Sequence, residues 1–460
     1  MRIARRNDEL TAGLAAIRRE EDVPDGFPPD VVEAAERAAQ RRPGAAHRDR
    51  TGEAFVTLDP PSSTDLDQAF TIERAGADLL LHYAIADVGF FVRPGDPLDV
   101  EAWTRGVTVY LPGEREPLYP PVLSEGAASL LPDAPRPAVV FTVRIDGDGA
   151  VALEGVERAV VHSRAKLAYD AVGPADLPPD FAELAARIVR AEDARGAARV
   201  DFPEQELEEV AGSWQLRFRP RLASEQHNAG MSLATNLAVA DALHAARTGL
   251  YRVMPEPDDG AVRRLRWTAR AFGLAWPQEQ SLAEFQRRLP QGEHRTSAFL
   301  LAARRASGGA DYAPFVAGDR PWHAAMAATY SHATAPLRRL ADRYVIEAAL
   351  AVASGVPVPE EIATAFARLP EAMDRGETKA NRVGAAALNL AEAVALRGRE
   401  GEQFDAVVVG EDARGAVVQV CEPAVVARVT AHKVDPGAAI RVRLTSVDVP
   451  TRTIHFERTA

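Results

Sequence analysis

The chain has 460 residues and a mass of 49.5 kDa, and its 47% hydrophobic and 26% charged residues are those of an ordinary globular protein with two to four structural units. Its net charge of −12 argues against a protein that coats nucleic acid nonspecifically, because binding to phosphate needs positive surface. The single cysteine, Cys421, excludes an intrachain disulfide partner and a cysteine-rich metal site, so any metal must be held by oxygen or histidine.

Membrane insertion is not expected. No apolar run approaches the roughly 18 residues needed to span a bilayer, and the start "MRIARRNDEL" has no hydrophobic core of a signal peptide. We therefore predict a cytoplasmic protein without a membrane partner.

The predicted elements divide the chain into three parts. Residues 1–45 have helical spacing, with Pro29 near the start of a second helix and Pro43-Gly44 at its end. Residues 46–400 begin with β-type runs such as "FVTLD" and "AVVFTVRID" and continue with helical patterns such as "NLAVADALHAARTGL". Strands first and helices later favour an α+β fold, with a mixed sheet surrounded by helices.

Residues 401–460 are predicted to form a separate small barrel. Five short alternating runs, among them "FDAVVVGED" and "AIRVRLTSVDV", are separated by glycine, proline and aspartate. This pattern is typical of a barrel of the OB type.

Positive charge is concentrated in one part of the acidic chain. Residues 295–345 contain seven arginines, three aspartates and no glutamate, which gives a local balance of +4. Arginine suits bidentate phosphate contacts, although arginine is also the usual base of this chain, which has only three lysines.

The stretch "DPPSSTDLDQAF" is the strongest chemical signal. Asp59 ends a predicted strand, "PPSST" is a turn-forming connection, and Asp65 and Asp67 share a face of an extended segment. Three converging carboxylates fit a hard divalent ion such as magnesium or manganese. A calcium-like loop or a solvated acidic turn explains this stretch, taken alone, equally well.

The same stretch resembles the acidic signature of the ribonuclease II family, the RNB-type exoribonucleases, whose usual form is D-x5-D-x-D-D-A. Other segments resemble the family in the same order: "HYAIADVGFFVRPGDPLDVEAWTRGVTVYLPG", "LSEGAASLLP", "HSRAKLAYDAV", "TGLYRVMPEPD" and "YSHATAPLRRLADRY". Ordered matches from about residue 54 to 345 favour this family over the simpler alternatives.

The resemblance implies a fold and an activity. Family members enclose an RNA channel with a mixed sheet and helices, end in an OB-type RNA-binding domain, and degrade single-stranded RNA processively from the 3′ end to nucleoside 5′-monophosphates. They use magnesium, and by analogy we expect Mg2+ or Mn2+ here. The three parts of the chain then become an N-terminal helical segment (1–45), an RNB-type catalytic domain (46–400) and an OB-fold RNA-binding domain (401–460).

The resemblance also assigns roles to individual positions. Asp59, Asp65 and Asp67 match the first three acids of the family signature, and Gln68 takes the place of the fourth. These four residues are the predicted metal ligands and, together with Arg338, the predicted catalytic residues. Two further positions are predicted to contact RNA: Tyr110, by stacking on a base, and Arg339.

Three departures from the family carry further expectations. Gln68 brings no charge, so we expect one metal site to be weakened and manganese to serve better than magnesium. The family's helical glutamate is missing near residue 384, where the chain reads "VGAAA". About 45 helical residues stand where members usually carry cold-shock barrels, which predicts a more open channel that admits RNA with duplex regions.

The sequence also fits two other interpretations. The missing acids also fit a catalytically impaired RNA-binding protein that keeps the fold. A sugar hydrolase that uses two carboxylates as acid and base is a more distant alternative, and it predicts activity without metal.

Overall fold

The structure is a computed structural model that describes residues 2–3, 8–198, 204–210, 213–219, 221–290, 293–306, 309–412, 415–420, 425–429, 434–435 and 438–459. Cys421 lies outside the described residues. No helix in these ranges is long and apolar enough to cross a membrane.

Helices occupy both ends of the first 400 residues as well as their middle. Their bounds are α1 Asp8–Glu20, α2 Pro29–Ala39, α3 Val88–Phe91, α4 Pro97–Arg105, α5 Phe181–Arg195, α6 Ala223–Ala245, α7 Asp259–Ala271, α8 Leu282–Arg288, α9 His294–Ala306, α10 Leu340–Ala353 and α11 Glu360–Leu396.

The strands fall into a central sheet, several short pairs and a C-terminal barrel. Their bounds are β1 Arg2–Ile3, β2 Arg48–Asp49, β3 Thr57–Asp59, β4 Gln68–Ala75, β5 Asp78–Ala86, β6 Val109–Leu111, β7 Glu114–Glu116, β8 Arg136–Ile145, β9 Val151–Val161, β10 Lys166–Ala168, β11 Glu204–Val210, β12 Ser213–Arg219, β13 Leu250–Val253, β14 Asp311–Pro314, β15 Gln403–Asp412, β16 Gly415–Val420, β17 Val425–Val429, β18 Ala439–Asp448 and β19 Thr453–Arg458.

The central sheet has the strand order β2-β9-β8-β5-β4 and forms the main core. Its long strands are antiparallel, while the short β2 runs parallel to β9, so the sheet is mixed as predicted. β5 is almost entirely buried because helices cover the sheet, and its apolar run "LLLHYAIA" suits burial on both faces.

The N-terminal helices pack on the body of the protein. Leu10, Leu14 and Ile17 of α1 are buried in the same apolar cluster as the second half of α11 and the barrel. A Cβ atom at Gly13 would lie 2.6 Å from the side chain of Leu390, so a larger residue there would require that side chain to shift. Helix α2 begins at Pro29, as predicted, and belongs to the main core.

The C-terminal strands close into a barrel with the order β15-β16-β17-β19-β18, which confirms the predicted five-stranded OB-type barrel. Ile440, Val442 and Leu444 alternate with exposed residues along β18, which is the period-2 pattern of a strand with one buried face.

The segment between residues 200 and 310 is less helical than its pattern indicates. A hairpin, β11 and β12, lies ahead of α6, and β13 pairs with β14 across helices α7 to α9. Leu265, Phe285 and Phe299 of these three helices form a separate apolar cluster that also includes Val409 of the barrel.

Candidate active site

All seven sequence-predicted site residues line one cavity of about 730 Å3, together with Arg115, Asn228, Ser232 and Tyr330 among others. They reach it from β3, the loop before β4, β4, β6 and the segment before α10. Residues nearly 280 positions apart are therefore neighbours in the fold.

The acidic loop is held in shape on both sides. β3 ends at Asp59, as predicted, and pairs with β10 in parallel, which places Lys166 beside the loop. The ammonium of Lys166 donates to the carbonyls of Pro61 (2.8 Å) and Ser63 (2.5 Å). On the other side, Ser129 accepts from Leu66 N–H at 2.9 Å and donates to the Thr64 carbonyl at 2.7 Å.

The three aspartates are in an environment that opposes their ionisation. Burial, with the nearby charge of Asp65, raises the pKa of Asp59 to about 7, against the attraction of Lys166 and Arg338. Burial also raises the pKa of Asp67 to about 8, although Arg338 and the Leu337 N–H oppose the shift. The pKa of Asp65 is raised mainly by burial. Like charges held together in this way favour a cation between them.

Arg338 is the predicted catalytic arginine, and its side chain is 43% exposed toward the cavity. Its Nε atom lies 3.7 Å from Oδ2 of Asp67, and its backbone carbonyl accepts from Thr108 N–H at 3.0 Å. Two neighbouring arginines are buried in ion pairs: Arg343 pairs with Asp99, and Arg339 binds Asp342 through two bonds of 2.9 and 2.7 Å.

Gln68 is the first residue of β4 and lines the cavity, but its amide bonds to protein groups. Its Nε2 donates to the Thr334 carbonyl at 2.7 Å, and its Oε1 accepts from the hydroxyl of Tyr83 at 2.6 Å and lies 3.2 Å from Oγ of Ser232. A metal ion would have to displace one of these hydroxyls to reach Oε1. The predicted role of Gln68 as a metal ligand stays a prediction.

Tyr110 projects from β6 beside Arg338 and is 49% exposed, which is unusual for a large aromatic side chain. A flat, half-exposed ring that lines a polar cavity can stack on a base.

Arg339 also lines the cavity, although its guanidinium binds Asp342. Its predicted contact with RNA therefore depends on the face of the guanidinium that Asp342 leaves open.

Arg115 is a cavity residue that the sequence did not single out. It projects from the β6–β7 hairpin and binds Asp65 at 3.1 Å and Glu125 at 2.9 Å. It therefore competes with a cation for Asp65. A basic residue five positions after Tyr110 was the only signal in the sequence, and it is too common to be informative.

A second cavity, of about 320 Å3, adjoins the first and shares Tyr110, Arg338 and Arg339 with it. Its far wall is α11, which contributes Glu377 and Asn381, and Glu377 pairs with Arg252 at 3.2 Å. The family resemblance implies an acid at 383–387, where this helix has none. The helix does bring an acid close to the site, two turns before that stretch.

One structural observation shows that the residues of the cavity fit a divalent cation. Oδ2 of Asp59 is buried and has no hydrogen-bond partner among the described residues, in a cavity where the pKa of Asp59 and Asp67 is raised. A cation would satisfy that oxygen and relieve the repulsion. In the described ranges, no three His, Cys, Asp or Glu side chains are arranged so that they could hold a metal ion together. The acids alone are therefore an incomplete set of ligands.

Comparison with known proteins agrees with this architecture. The RNB domain family matches residues 47–353, and the RNase II-type exonuclease C-terminal S1 domain matches residues 402–459. The chain belongs to the RNB-domain family.

Similar individual proteins are ribonucleases by name. Ribonuclease R of Aquifex aeolicus is 27% identical over 444 residues, which are 90% of this chain and 62% of that protein. The chain thus spans less than two thirds of that relative's length. Two structures of Mycoplasma genitalium RNase R share the fold across 98% of this chain. The complex with ribose methylated single-stranded RNA has a TM-score of 0.87 at 19% identity, and the match covers 78% of its protein chain. The complex with double-stranded RNA has a TM-score of 0.83 at 20% identity, and the match covers 84% of its protein chain.

Proposed function

We propose that this protein is a hydrolytic, processive 3′-to-5′ exoribonuclease that degrades RNA to nucleoside 5′-monophosphates with a divalent metal. One observation carries the proposal: Asp59, Asp65 and Asp67 reach the same cavity as Arg338 and the half-exposed Tyr110. This combination supplies cation ligands, a guanidinium for phosphate charge and a platform for a base.

Asp59, Asp65 and Asp67 would hold the metal, with magnesium as the expected ion and manganese as its substitute. A bound divalent ion makes a water molecule more acidic and stabilises the oxygen that leaves phosphorus. Water is then the nucleophile, and no covalent intermediate with the protein is expected. In metal-free protein, the raised pKa values of Asp59 and Asp67 mean that cation binding releases protons near neutral pH.

The neighbouring residues bind and orient the RNA. The side chain of Arg338 is 43% exposed, so its guanidinium can contact the scissile phosphate and stabilise the charge that develops on the phosphate oxygens. Tyr110 stacks on a base beside that phosphate. Stacking does not depend on base identity, since every base has a π face, and degradation should therefore show little sequence preference.

The substrate is expected to be single-stranded RNA, including the 3′ overhangs of RNA with duplex regions. RNase R of similar fold is known in complex with both single-stranded and double-stranded RNA. The predicted domain boundaries at residues 45 and 400 and the cytoplasmic location belong to the same proposal.

The test is a time course with 5′-labelled single-stranded RNA in magnesium, in manganese and in EDTA. The expected result is conversion to a short 5′ fragment and mononucleotides, abolished by EDTA and by Asp67→Asn. The matched substitution Asp133→Asn, at an exposed aspartate outside the cavity, should leave the activity intact. A labelled DNA strand of the same sequence measures the preference for RNA.

The alternative is an RNA-binding protein that has lost catalysis. Two features favour it: Gln68 stands where the family signature has an acid, and Arg115 pairs with Asp65 at 3.1 Å. Intact RNA that migrates more slowly on a native gel, in both metals, would establish this alternative and overturn the exoribonuclease.

A further inference from the structure

Side chains of other elements hold much of the segment that carries Arg338. Residues 331–338 form neither helix nor strand. We call residues 333–338 the arginine loop. Three of its N–H groups donate at 2.8 Å to side-chain oxygens, in the pairs Ala333 with Asn236, Ala335 with Asp342 and Leu337 with Asp67.

Gln68 completes this set from the opposite direction. Its Nε2 donates to the carbonyl of Thr334, which lies at the start of the arginine loop. In this bond the arginine loop accepts, whereas in the three bonds above it donates. It fastens the loop to β4, and therefore to the central sheet.

The orientation of the amide follows from the chemistry of its partners. The Thr334 carbonyl can only accept, so the NH2 group must face it, and Oε1 must face the hydroxyls of Tyr83 and Ser232. Tyr83 lies on β5 and is fully buried, and Ser232 lies on α6. The amide therefore ties a sheet, a helix and the arginine loop together at one point.

A carboxylate cannot make the same contacts. An ionised carboxyl group only accepts, and it would face the Thr334 carbonyl oxygen with repulsion between the two acceptors. Position 68 thus requires one donor and one acceptor, which an amide provides. This requirement explains a glutamine directly after three aspartates without any role in metal binding.

We propose that Gln68 is a positioning residue that holds Arg338 in place through the Thr334 carbonyl, and that it does not bind the metal. The inference rests on the proposed function for the role of Arg338. Its structural part, the fastening of the arginine loop by Gln68, is independent of that function.

The experiment compares Gln68→Met and Gln68→Glu with the unchanged protein in three measurements. Gln68→Met keeps the length but removes donor and acceptor, whereas Gln68→Glu keeps the acceptor and adds a charge. The measurements are hydrogen exchange of the amides of residues 333–338 without metal, calorimetric Mn2+ binding without RNA, and kcat and KM on single-stranded RNA. Gln278→Glu, at an exposed glutamine, controls for the added charge.

A positioning role predicts one pattern of results. For Gln68→Met, exchange in the arginine loop rises and kcat falls by about tenfold or more, which corresponds to the loss of one buried hydrogen bond. The Mn2+ affinity and the KM for RNA stay unchanged, and excess metal does not restore kcat. Gln68→Glu also shows faster exchange and a lower kcat.

A role as metal ligand predicts the opposite pattern and would overturn the inference. In that case Gln68→Met weakens Mn2+ binding with normal loop exchange, and Gln68→Glu binds Mn2+ more tightly and keeps or raises the activity. Should Gln68→Met fail to fold, Gln68→Glu, whose ionised carboxyl group cannot donate to the Thr334 carbonyl, must still raise loop exchange. If the unchanged protein cleaves no RNA, the proposed function fails, while exchange and calorimetry still decide the role of Gln68.

Discussion

Asp67 contacts Arg338 through one oxygen of its carboxyl group and the preceding residue, Leu337, through the other. Oδ2 lies 3.7 Å from Nε of Arg338, and Oδ1 accepts from the N–H of Leu337, the preceding residue, at 2.8 Å. The buried acid thus orients both the backbone and the guanidinium of the arginine, whose side chain remains 43% exposed. The predicted metal ligand and the predicted phosphate-binding group are a single structural unit.

Arg338→Ala is therefore expected to lower kcat by about 10²- to 10³-fold, the usual effect of removing one group that stabilises transition-state charge. Arg338→Lys should recover little, because an ammonium lacks the planar fork of the guanidinium. Steady-state kinetics on labelled single-stranded RNA measure both. Arg320→Ala is the matched control, since Arg320 belongs to the same arginine-rich stretch but lies over the ring of Trp322. Wild-type kcat in Arg338→Ala would rule out this role.

Tyr110 provides a second prediction, which concerns binding rather than rate. Because the ring is 49% exposed at the cavity, Tyr110→Ala should weaken the binding of single-stranded RNA by about 1–3 kcal/mol, the contribution of one stacked base. Tyr110→Phe keeps the ring and should bind normally. Fluorescence anisotropy of a labelled RNA in EDTA separates binding from cleavage. Equal losses in both variants would show that the hydroxyl, and not stacking, is responsible.

The predictable parts of the fold are those that a pattern within a short stretch of sequence indicates. Alternation of buried and exposed residues identified the barrel strands such as β18, and the strand "FVTLD" correctly delivered Asp59 to its end. The hairpin of β11 and β12 was missed, because its pairing lies inside a stretch that we assigned by its predominantly helical pattern.

The candidate site was predictable only in part, for a related reason. The three aspartates are close in sequence, and the resemblance to a family supplied Tyr110 and Arg338. The partners of Gln68 were invisible, since Tyr83, Ser232 and Thr334 are 15, 164 and 266 positions away and are brought together only by the packing of β5, α6 and the arginine loop. The family resemblance placed Gln68 with the acids, whereas its hydrogen bonds connect it to the arginine loop.

Two glycines allow the strand that carries Tyr110 to approach α11. A Cβ atom at Gly376 would lie 2.7 Å from the carbonyl oxygen of Arg105, and Gly106 opposite it has a φ of +71°. The carbonyl of Gly106 accepts from Leu340 N–H at 3.0 Å, so this contact also supports the backbone next to Arg338.

Gly376→Ala should therefore lower the free energy of unfolding by about 1–3 kcal/mol, the usual effect of overpacking a tight contact. It should also lower activity, because the backbone around Tyr110 and Arg338 must shift. Urea unfolding and RNA degradation assays measure these effects. Gly384→Ala is a matched control on the same helix, since a Cβ atom there meets nothing within 4 Å. That variant should be neutral or more stable by up to about 1 kcal/mol, and equal destabilisation of both variants would contradict the prediction.

Glu392 gives a prediction about stability and pH, away from the candidate site. This residue of α11 is 5% exposed, and burial raises its pKa to about 8, although its carboxyl accepts from the N–H of Val426 in the barrel. In the unfolded chain the same carboxyl group has the ordinary glutamate pKa of about 4.5. Between these two values the unfolded state binds fewer protons than the folded state, so the free energy of unfolding falls as pH rises and becomes constant above about pH 8.

Glu392→Gln removes this dependence, because the amide stays neutral and its oxygen can still accept from Val426 N–H. The variant should match the unchanged protein below about pH 4.5 and exceed its free energy of unfolding at pH 9 by an amount on the order of a few kcal/mol. Urea unfolding at pH 5.5, 7 and 9 measures the difference, with Glu400→Gln, at an exposed glutamate beyond the end of α11, as the control. A constant difference at all three pH values would mean that Glu392 is ionised in the folded protein, and that a group not yet identified compensates its charge between α11 and the barrel.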